Sequence, residues 1–213
     1  MYKFVKRFLD ILLALIMFVV LIPLFILISI CIKIDSPGPI LFRQIRTGKG
    51  GVDFELLKFR SMSKDNDVYD FKKGDKITRV GKVIRKTSLD ELPQLLNIIK
   101  GDMSFIGPRP WLNICYDYFT PYQKKRNDVK PGLTGLAQVS GRKDLNILDR
   151  IDLDIEYVEN ISFILDFKIV LKTIQVVFNG SDNTRENYTF HEELIDLKNN
   201  YYKELSGKDD YEQ

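Results

Sequence analysis

Two adjacent carboxylates, Asp90 and Glu91, stand in the stretch Arg85-Lys86-Thr87-Ser88-Leu89-Asp90-Glu91-Leu92-Pro93-Gln94-Leu95-Leu96. Ser88 is a good helix N-cap residue, and Glu91 follows it at the spacing of a capping box. Leu89, Leu92, Leu95, Leu96 and Ile99 recur at helical spacing, so a helix is expected to start here with both carboxylates on its first turn. Pro93 denies the Leu89 carbonyl its usual amide partner, which leaves room for an irregular first turn. Free amides and a partial positive charge at a helix N-terminus favour anions. Asp90 is therefore expected to stay ionised at neutral pH, and a phosphate could dock beside it, drawn by Arg85 and Lys86. Paired carboxylates offer the hard oxygen ligands that Mg²⁺ takes. A plainer reading stands beside this one: Glu91 only closes the capping box and Asp90 only answers the helix dipole. This stretch alone does not choose between them.

Other chemistries are narrowed by composition. The single histidine, His191, sits in a polar C-terminal stretch, which removes histidine triads and His-rich metal sites from a core mechanism. Cys31 and Cys115 lie far apart in different contexts and suggest neither a disulfide framework nor a zinc site. A net charge of +3 and a pI near 8.7 are too mild to argue for nucleic acid. A chain of 213 residues predicts one domain with appendages.

The elements that must position the carboxylates start with an apolar run. Ile11 to Ile32 holds 22 residues and no charge, about 33 Å of helix if straight. No small-x-small site follows, which disfavours a cleaved signal peptide. Pro23 bends the run near its centre. Lys3, Lys6 and Arg7 precede it, and Lys33, Arg43, Arg46 and Lys49 follow, so the positive-inside tendency pulls both ends to one side. A re-entrant helical hairpin satisfies that; a kinked span is the alternative. After the turn Ser36-Pro37-Gly38-Pro39, Ile40 to Ile45 and Val52 to Leu56 read as a β-hairpin around Gly48-Lys49-Gly50-Gly51. It runs into Lys58-Phe59-Arg60-Ser61-Met62. The polar segment Lys64 to Asp75 reads as a mobile loop.

Downstream, Gly101 ends the acidic helix. Pro108 and Pro110 stiffen the backbone around Arg109, which suits bidentate phosphate recognition, though an exposed structural arginine would look the same. Lys130 to Arg142 is a second glycine-rich loop whose glycine spacing fits neither a P-loop nor a dinucleotide fingerprint. Leu148, Ile151, Ile155 and Val158 share one helical face. Asn160 separates that helix from a second over Ser162 to Phe178, strongly apolar with a stripe of Lys168, Lys172 and Gln175; it suits either the core or a membrane interface. The expected fold is α+β, mostly helical, with a small β-hairpin, an N-terminal helix-kink-helix and amphipathic helices. Its parts are an anchor over 1–35, a catalytic region over 36–180 and a polar tail over 181–213.

In this order the motifs resemble the bacterial sugar transferase family, the small monotopic polyprenyl-phosphate phosphoglycosyl transferases. The matching pieces are the basic N-terminus with its proline-centred apolar run, Ser36 to Pro39, Lys58 to Met62, Ser88 to Gln94, Gly101 to Pro110 and Lys130 to Arg142. The resemblance implies transfer of a sugar phosphate from a nucleotide sugar, usually UDP-linked, to undecaprenyl phosphate, the first step of building a surface glycan. It implies Asp90 as nucleophile, Glu91 as its partner, Mg²⁺ as cofactor and ligand pair Asp90 and Glu91. It implies a re-entrant membrane helix, with the catalytic region on the cytoplasmic face of the bacterial inner membrane, among membrane lipid. Arg85, Arg109 and Arg142 are the first candidates for the substrate phosphates, with Lys58, Arg60 and Gln138 behind them. A Mg²⁺-dependent diphosphate hydrolase and a non-catalytic membrane scaffold are the rival readings. The sugar, the glycan pathway and the oligomeric state, a dimer included, are left open.

Overall fold

The computed structural model describes residues 2–63, 77–141, 145–178 and 190–209. The expected loop over 64–75 lies outside them. The fold is mostly helical with short strands, in the α+β class the sequence predicts. The chain forms two compact units, Met1–Gln44 with Glu55–Phe105, and Ile45–Phe54 with Ile106–Gln213.

In the first unit, α1 (Tyr2–Val20) and α2 (Ile22–Asp35) meet at a 61° bend. Pro23 has no amide to donate, while Leu21 and Phe25 keep their bonds to Met17 and Leu21, so the break is confined to one turn. No single described helix is long and apolar enough to cross a membrane; the bent pair reaches that length and apolar composition only when its two arms are taken together. Phe4, Phe8, Val19, Val20, Ile26 and Ile34 are among its exposed apolar side chains. Ser29 satisfies its hydroxyl on the Phe25 carbonyl at 2.6 Å.

The hairpin pairs β1 (Leu41–Thr47) with β2 (Asp53–Phe59), as the alternation predicts. Then follow α3 (Arg79–Lys86), a 3₁₀ turn over Leu89–Glu91, and α4 (Gln94–Lys100), ended by Gly101 at φ 104° as expected. Ile28, Ile32, Phe59 and Ile84 form the buried cluster, with Leu24, Phe25, Leu89 and Leu92 packed on it.

The two ends of the acidic segment are tied down. Asp35, the last residue of α2, accepts from the Val80 amide in the first turn of α3 at 2.9 Å. Arg7 donates to the Ile98 and Ile99 carbonyls at 2.8 and 3.2 Å, satisfying the open end of α4, and buried Asp10 accepts from the Phe105 amide at 3.2 Å. Arg7, read in the sequence as one of the cations flanking the apolar run, is thus a helix cap.

The second unit holds the hairpin tip, α5 (Pro121–Lys124), β3 (Gly132–Thr134), α6 (Leu136–Ser140), α7 (Ile147–Glu159), α8 (Phe163–Phe178) and α9 (Phe190–Asp209). Its core gathers Trp111, Leu112, Cys115, Phe119, Ile147, Ile151, Ile155 and Leu197. Asn146 caps α7 through the Asp149 amide at 2.9 Å. α8 buries Ile169 and Asp166 and leaves Phe163, Ile164, Phe167, Leu171 and Ile174 exposed. The stretch read as a polar tail contains α9, whose Leu197 is fully buried. Its apolar positions are too few to stand out by period.

Arg60 fixes the exit from α2. Its guanidinium donates to the Ser36 and Pro37 carbonyls, each at 2.7 Å, and to the Ser36 hydroxyl at 2.8 Å. Gly38 makes room for it: φ is +126°, and a Cβ there would fall 1.9 Å from Arg60 Nη1. Gly38→Ala should destabilise the fold by about 1–3 kcal/mol. The check is the thermal unfolding midpoint of the detergent-solubilised protein; an unchanged midpoint would show that the clamp tolerates a side chain.

Candidate active site

The acidic pair does not open an α-helix. Ser88 sits in the left-handed region at φ 56°, the only non-glycine residue with positive φ among those described, and its side chain caps nothing. Leu89–Glu91 form a 3₁₀ turn, and α4 begins only after Pro93. The capping box is therefore absent, and the helix-dipole account of Asp90 goes with it. Proline is the physical reason: without its amide, the bond to the Leu89 carbonyl cannot form, and the Glu91 and Leu92 amides make shorter-range bonds to Ser88 and Leu89 instead.

What orients the pair is packing. Leu89 and Leu92 face the cluster built from α2, β2 and α3, and Asp90 and Glu91 between them are half-buried. Lys58, on β2 between buried Leu57 and Phe59, donates to Glu91 Oε1 at 2.6 Å, with about a fifth of each side chain exposed. Asn97 sets that spacing. It is fully buried, accepts from the Leu57 amide at 3.0 Å, and donates to the Glu55 carbonyl at 2.7 Å and to Asp102 at 3.1 Å. The sequence reading gave Asn97 no role; the available signal was an amide inside the apolar run Leu95 to Ile99.

Burial pushes the Asp90 carboxyl above its ordinary value of 3.8. Lys58 pulls it back, Glu91 adds to the rise, and Arg85 lowers it again. This is opposite in direction to the dipole-based expectation. Asp90, Glu91, Lys58 and Arg85 are thus electrostatically one group. Arg60 is not part of it, since its guanidinium holds the Ser36–Pro37 turn.

Arg109 and Gln138 belong to the second unit. Arg109 is exposed between buried Pro108 and Pro110. The loop carrying it is locked to the second glycine-rich loop: the Gly107 amide donates to Thr134 and the Gly132 amide to Pro108, both at 2.9 Å. A Cβ on Gly132 would lie 2.2 Å from the Gly107 nitrogen, so that contact needs glycine. Gln138, on α6, donates to the Leu133 carbonyl at 3.5 Å. Arg142 lies outside the described residues. Cys115 is buried in the same unit, and burial pushes its thiol up to about 11, so it is no nucleophile.

For Mg²⁺, the donor chemistry of the pair fits. Both groups are hard oxygen donors, and the neighbouring Glu91 already makes ionised Asp90 costly, a cost that a divalent cation relieves. No described group of three or more His, Cys, Asp or Glu residues could hold a metal. Two carboxylates match the way Mg²⁺ is usually held, the rest of its shell coming from water and substrate phosphate.

The bacterial sugar transferase family model matches residues 1–180, and the chain belongs to that family. It is 44% identical over 191 residues to the UDP-N-acetylgalactosamine-undecaprenyl-phosphate N-acetylgalactosaminephosphotransferase of Aeromonas hydrophila, covering 84% of this chain and 45% of that one. It is 44% identical over 181 residues to the UDP-glucose:undecaprenyl-phosphate glucose-1-phosphate transferase of Caulobacter vibrioides, covering 79% and 68%. The Escherichia coli protein of the same name is 39% identical over 193 residues, covering 85% and 41%. The chain thus spans less than half of the first and third of these relatives.

A raised Asp90 pKa makes a stability prediction. The folded chain holds the Asp90 proton more tightly than the unfolded chain, so stability is lost as pH rises from the unfolded value, 3.8, through the raised one. Asp90→Asn should therefore melt at a higher temperature than the parent at pH 7, and the gap should close at about pH 3. Melting curves across pH check this; a destabilised Asp90→Asn at pH 7 would mean that Asp90 holds the fold together.

Proposed function

We propose that this protein is a phosphoglycosyl transferase that moves a sugar phosphate from a UDP-sugar to undecaprenyl phosphate, using Asp90 as nucleophile. The carrying observation is the Asp90–Glu91 turn itself: a desolvated carboxylate beside Lys58 and Arg85, inside the residues matched to the family. The names of the relatives supply the substrate classes. Two relatives of equal identity differ in their sugar, N-acetylgalactosamine and glucose, so the sugar follows from neither.

In the proposed first step an Asp90 carboxylate oxygen attacks the sugar-bearing phosphorus, the bond from that phosphorus to the bridging oxygen breaks, and UMP leaves with the electron pair. In the second, a phosphate oxygen of undecaprenyl phosphate attacks the same phosphorus. The acyl-phosphate bond breaks, Asp90 is regenerated, and undecaprenyl-diphosphate-sugar is released. Partial burial suits this role, because a carboxylate stripped of part of its water shell is held ready and reacts without shedding as much solvent. Lys58 and Arg85 offset negative charge near the turn, and Arg109 and Gln138 are the candidates for the donor. Mg²⁺, held by Asp90 and Glu91, would supply charge neutralisation on the diphosphate.

The bent α1–α2 pair is read as a re-entrant anchor kinked at Pro23, with the catalytic region on the cytoplasmic face of the inner membrane. Supporting it are the 61° bend, the apolar side chains exposed along both arms, and cations on both flanks. The exposed apolar residues of α8, with Lys168 and Lys172 among them, support a helix lying in the interface. An acceptor whose phosphate lies at headgroup level would meet a centre anchored in one leaflet.

Asp90→Asn should abolish turnover while the protein remains folded. Labelled sugar phosphate should remain bound to the parent protein after denaturation and not to Asp90→Asn, with UMP released before the lipid is added. Release of sugar phosphate without lipid would instead mean a hydrolase, and an active Asp90→Asn would remove the nucleophile. Cysteine labelling at positions 3 and 49 should find both on one side of the membrane; opposite sides would mean a span.

A further inference from the structure

Arg126 plays no part in the chemistry above, yet its 2% exposure makes it one of the largest fully buried side chains described. It belongs to the 3₁₀ turn Lys125–Asn127 of the second unit. Its Nε and Nη2 donate to Asp154 Oδ2 at 3.1 and 2.5 Å, and the same Nη2 donates to the main-chain oxygen of Arg109 at 2.7 Å. The guanidinium lies 4.6 Å from the centre of the Trp111 ring, two residues beyond Arg109, and 5.6 Å from Phe119. Arg150 reaches the Trp111 ring at 5.4 Å and pairs with Glu193 of α9 at 2.6 Å. Glu193 lies beyond the residues that the family model matches.

A buried pair of this kind is a poor source of stability, because desolvating both ions offsets their attraction and apolar replacements often do as well. What it supplies is geometry. The planar fork of Arg126 meets a carboxylate and a main-chain oxygen at fixed angles, which an apolar contact cannot do. Its main-chain contact falls on the one exposed residue of the Pro108-Arg109-Pro110 loop.

We infer that Arg126 and Asp154 are positioning residues, which fix the main chain at Arg109 so that its guanidinium is presented to the donor diphosphate in one orientation. This rests on the reading of Arg109 as a donor ligand. Arg150 and Glu193 extend the grip to Trp111, so α9 takes part in it.

The test separates the two substrates. kcat/KM is measured for the UDP-sugar at saturating lipid, and for undecaprenyl phosphate at saturating UDP-sugar. Arg126→Lys keeps the charge, but its tetrahedral ammonium cannot reproduce the coplanar Nε and Nη2 donors that fix the two oxygens. It should lower kcat/KM for the UDP-sugar by about tenfold or more and leave that for the lipid within about twofold. In an Arg109→Ala background it should cause no further loss, since the two residues act as one unit. Asp154→Asn, nearly isosteric, carries the same test if Arg126→Lys folds poorly. Equal losses for both substrates, the mark of a smaller folded fraction, would overturn the inference. So would a loss in the Arg109→Ala background as large as in the parent. Arg109→Ala alone, with unchanged UDP-sugar kinetics, would overturn the donor reading first and this one with it.

Discussion

Leu89 and Leu92 are seated among Ile28, Ile32, Phe59 and Ile84, and the turn between them has nowhere else to go. That seating carries two local costs. Ser88 occupies the left-handed region, worth about 1–3 kcal/mol for a residue with a side chain. Asp90 is partly stripped of water beside another carboxylate. Full burial of a leucine returns about 1.5–3 kcal/mol. Leu89 and Leu92, each partly buried, return part of that against the strained backbone, and the Lys58–Glu91 pair offsets part of the charge. The acidic turn is held by its apolar neighbours, so its carboxylates do not have to hold it.

The same logic runs outward through the first unit. Each end of the acidic segment is closed by a polar group borrowed from the apolar helices: Asp35 at the start of α3, Arg7 at the end of α4, Asp10 just beyond. Helices as apolar as α1 and α2 carry few polar residues, and three of them, Arg7, Asp10 and Asp35, are spent on this segment. Asn97 does the corresponding work from α4 toward β2. The position of Asp90 is thereby referred to the helices that carry the exposed apolar surface, a link through hydrogen bonds and not only through chain connectivity.

Much of this was legible. The hairpin, the bend at Pro23, the end of α4 at Gly101 and the burial of Ile151 and Ile155 on α7 followed from period and from glycine and proline chemistry; the burial of Ile147, Asp154 and Tyr157 on the same helix did not. The start of the acidic helix did not. Ser88 and Glu91 have the spacing of a capping box, as do Thr120 and Gln123, yet only the second pair forms one. The difference is Pro93: a box needs the helix to continue behind it, and Pro121, at the first position of α5, leaves that turn intact where Pro93 interrupts the other. Arg7, Arg60 and Arg126 share another reason. An arginine in a sequence is a cation without a partner, and only long-range packing decides whether it meets a phosphate, a headgroup or a carbonyl. Here all three meet carbonyls. α9 was hidden because its contacts come from single residues, Leu197, Asn200 and Glu193, rather than from a continuous stripe.

Three arginines bound to carbonyls also bear on how charge is deployed. A net charge of +3 suggests a weakly basic surface, but part of the basic complement is internal and serves backbone oxygens that no apolar residue can satisfy. Arg85, Arg109 and Lys58 remain at or near the surface, and two of these act on the carboxylates of the acidic turn. For a reaction that brings a diphosphate and a lipid phosphate to a carboxylate, few cations in fixed places serve better than many mobile ones. Phosphoryl transfer depends on where positive charge stands relative to one phosphorus, and a freely moving lysine would neutralise the ground state as readily as the transition state.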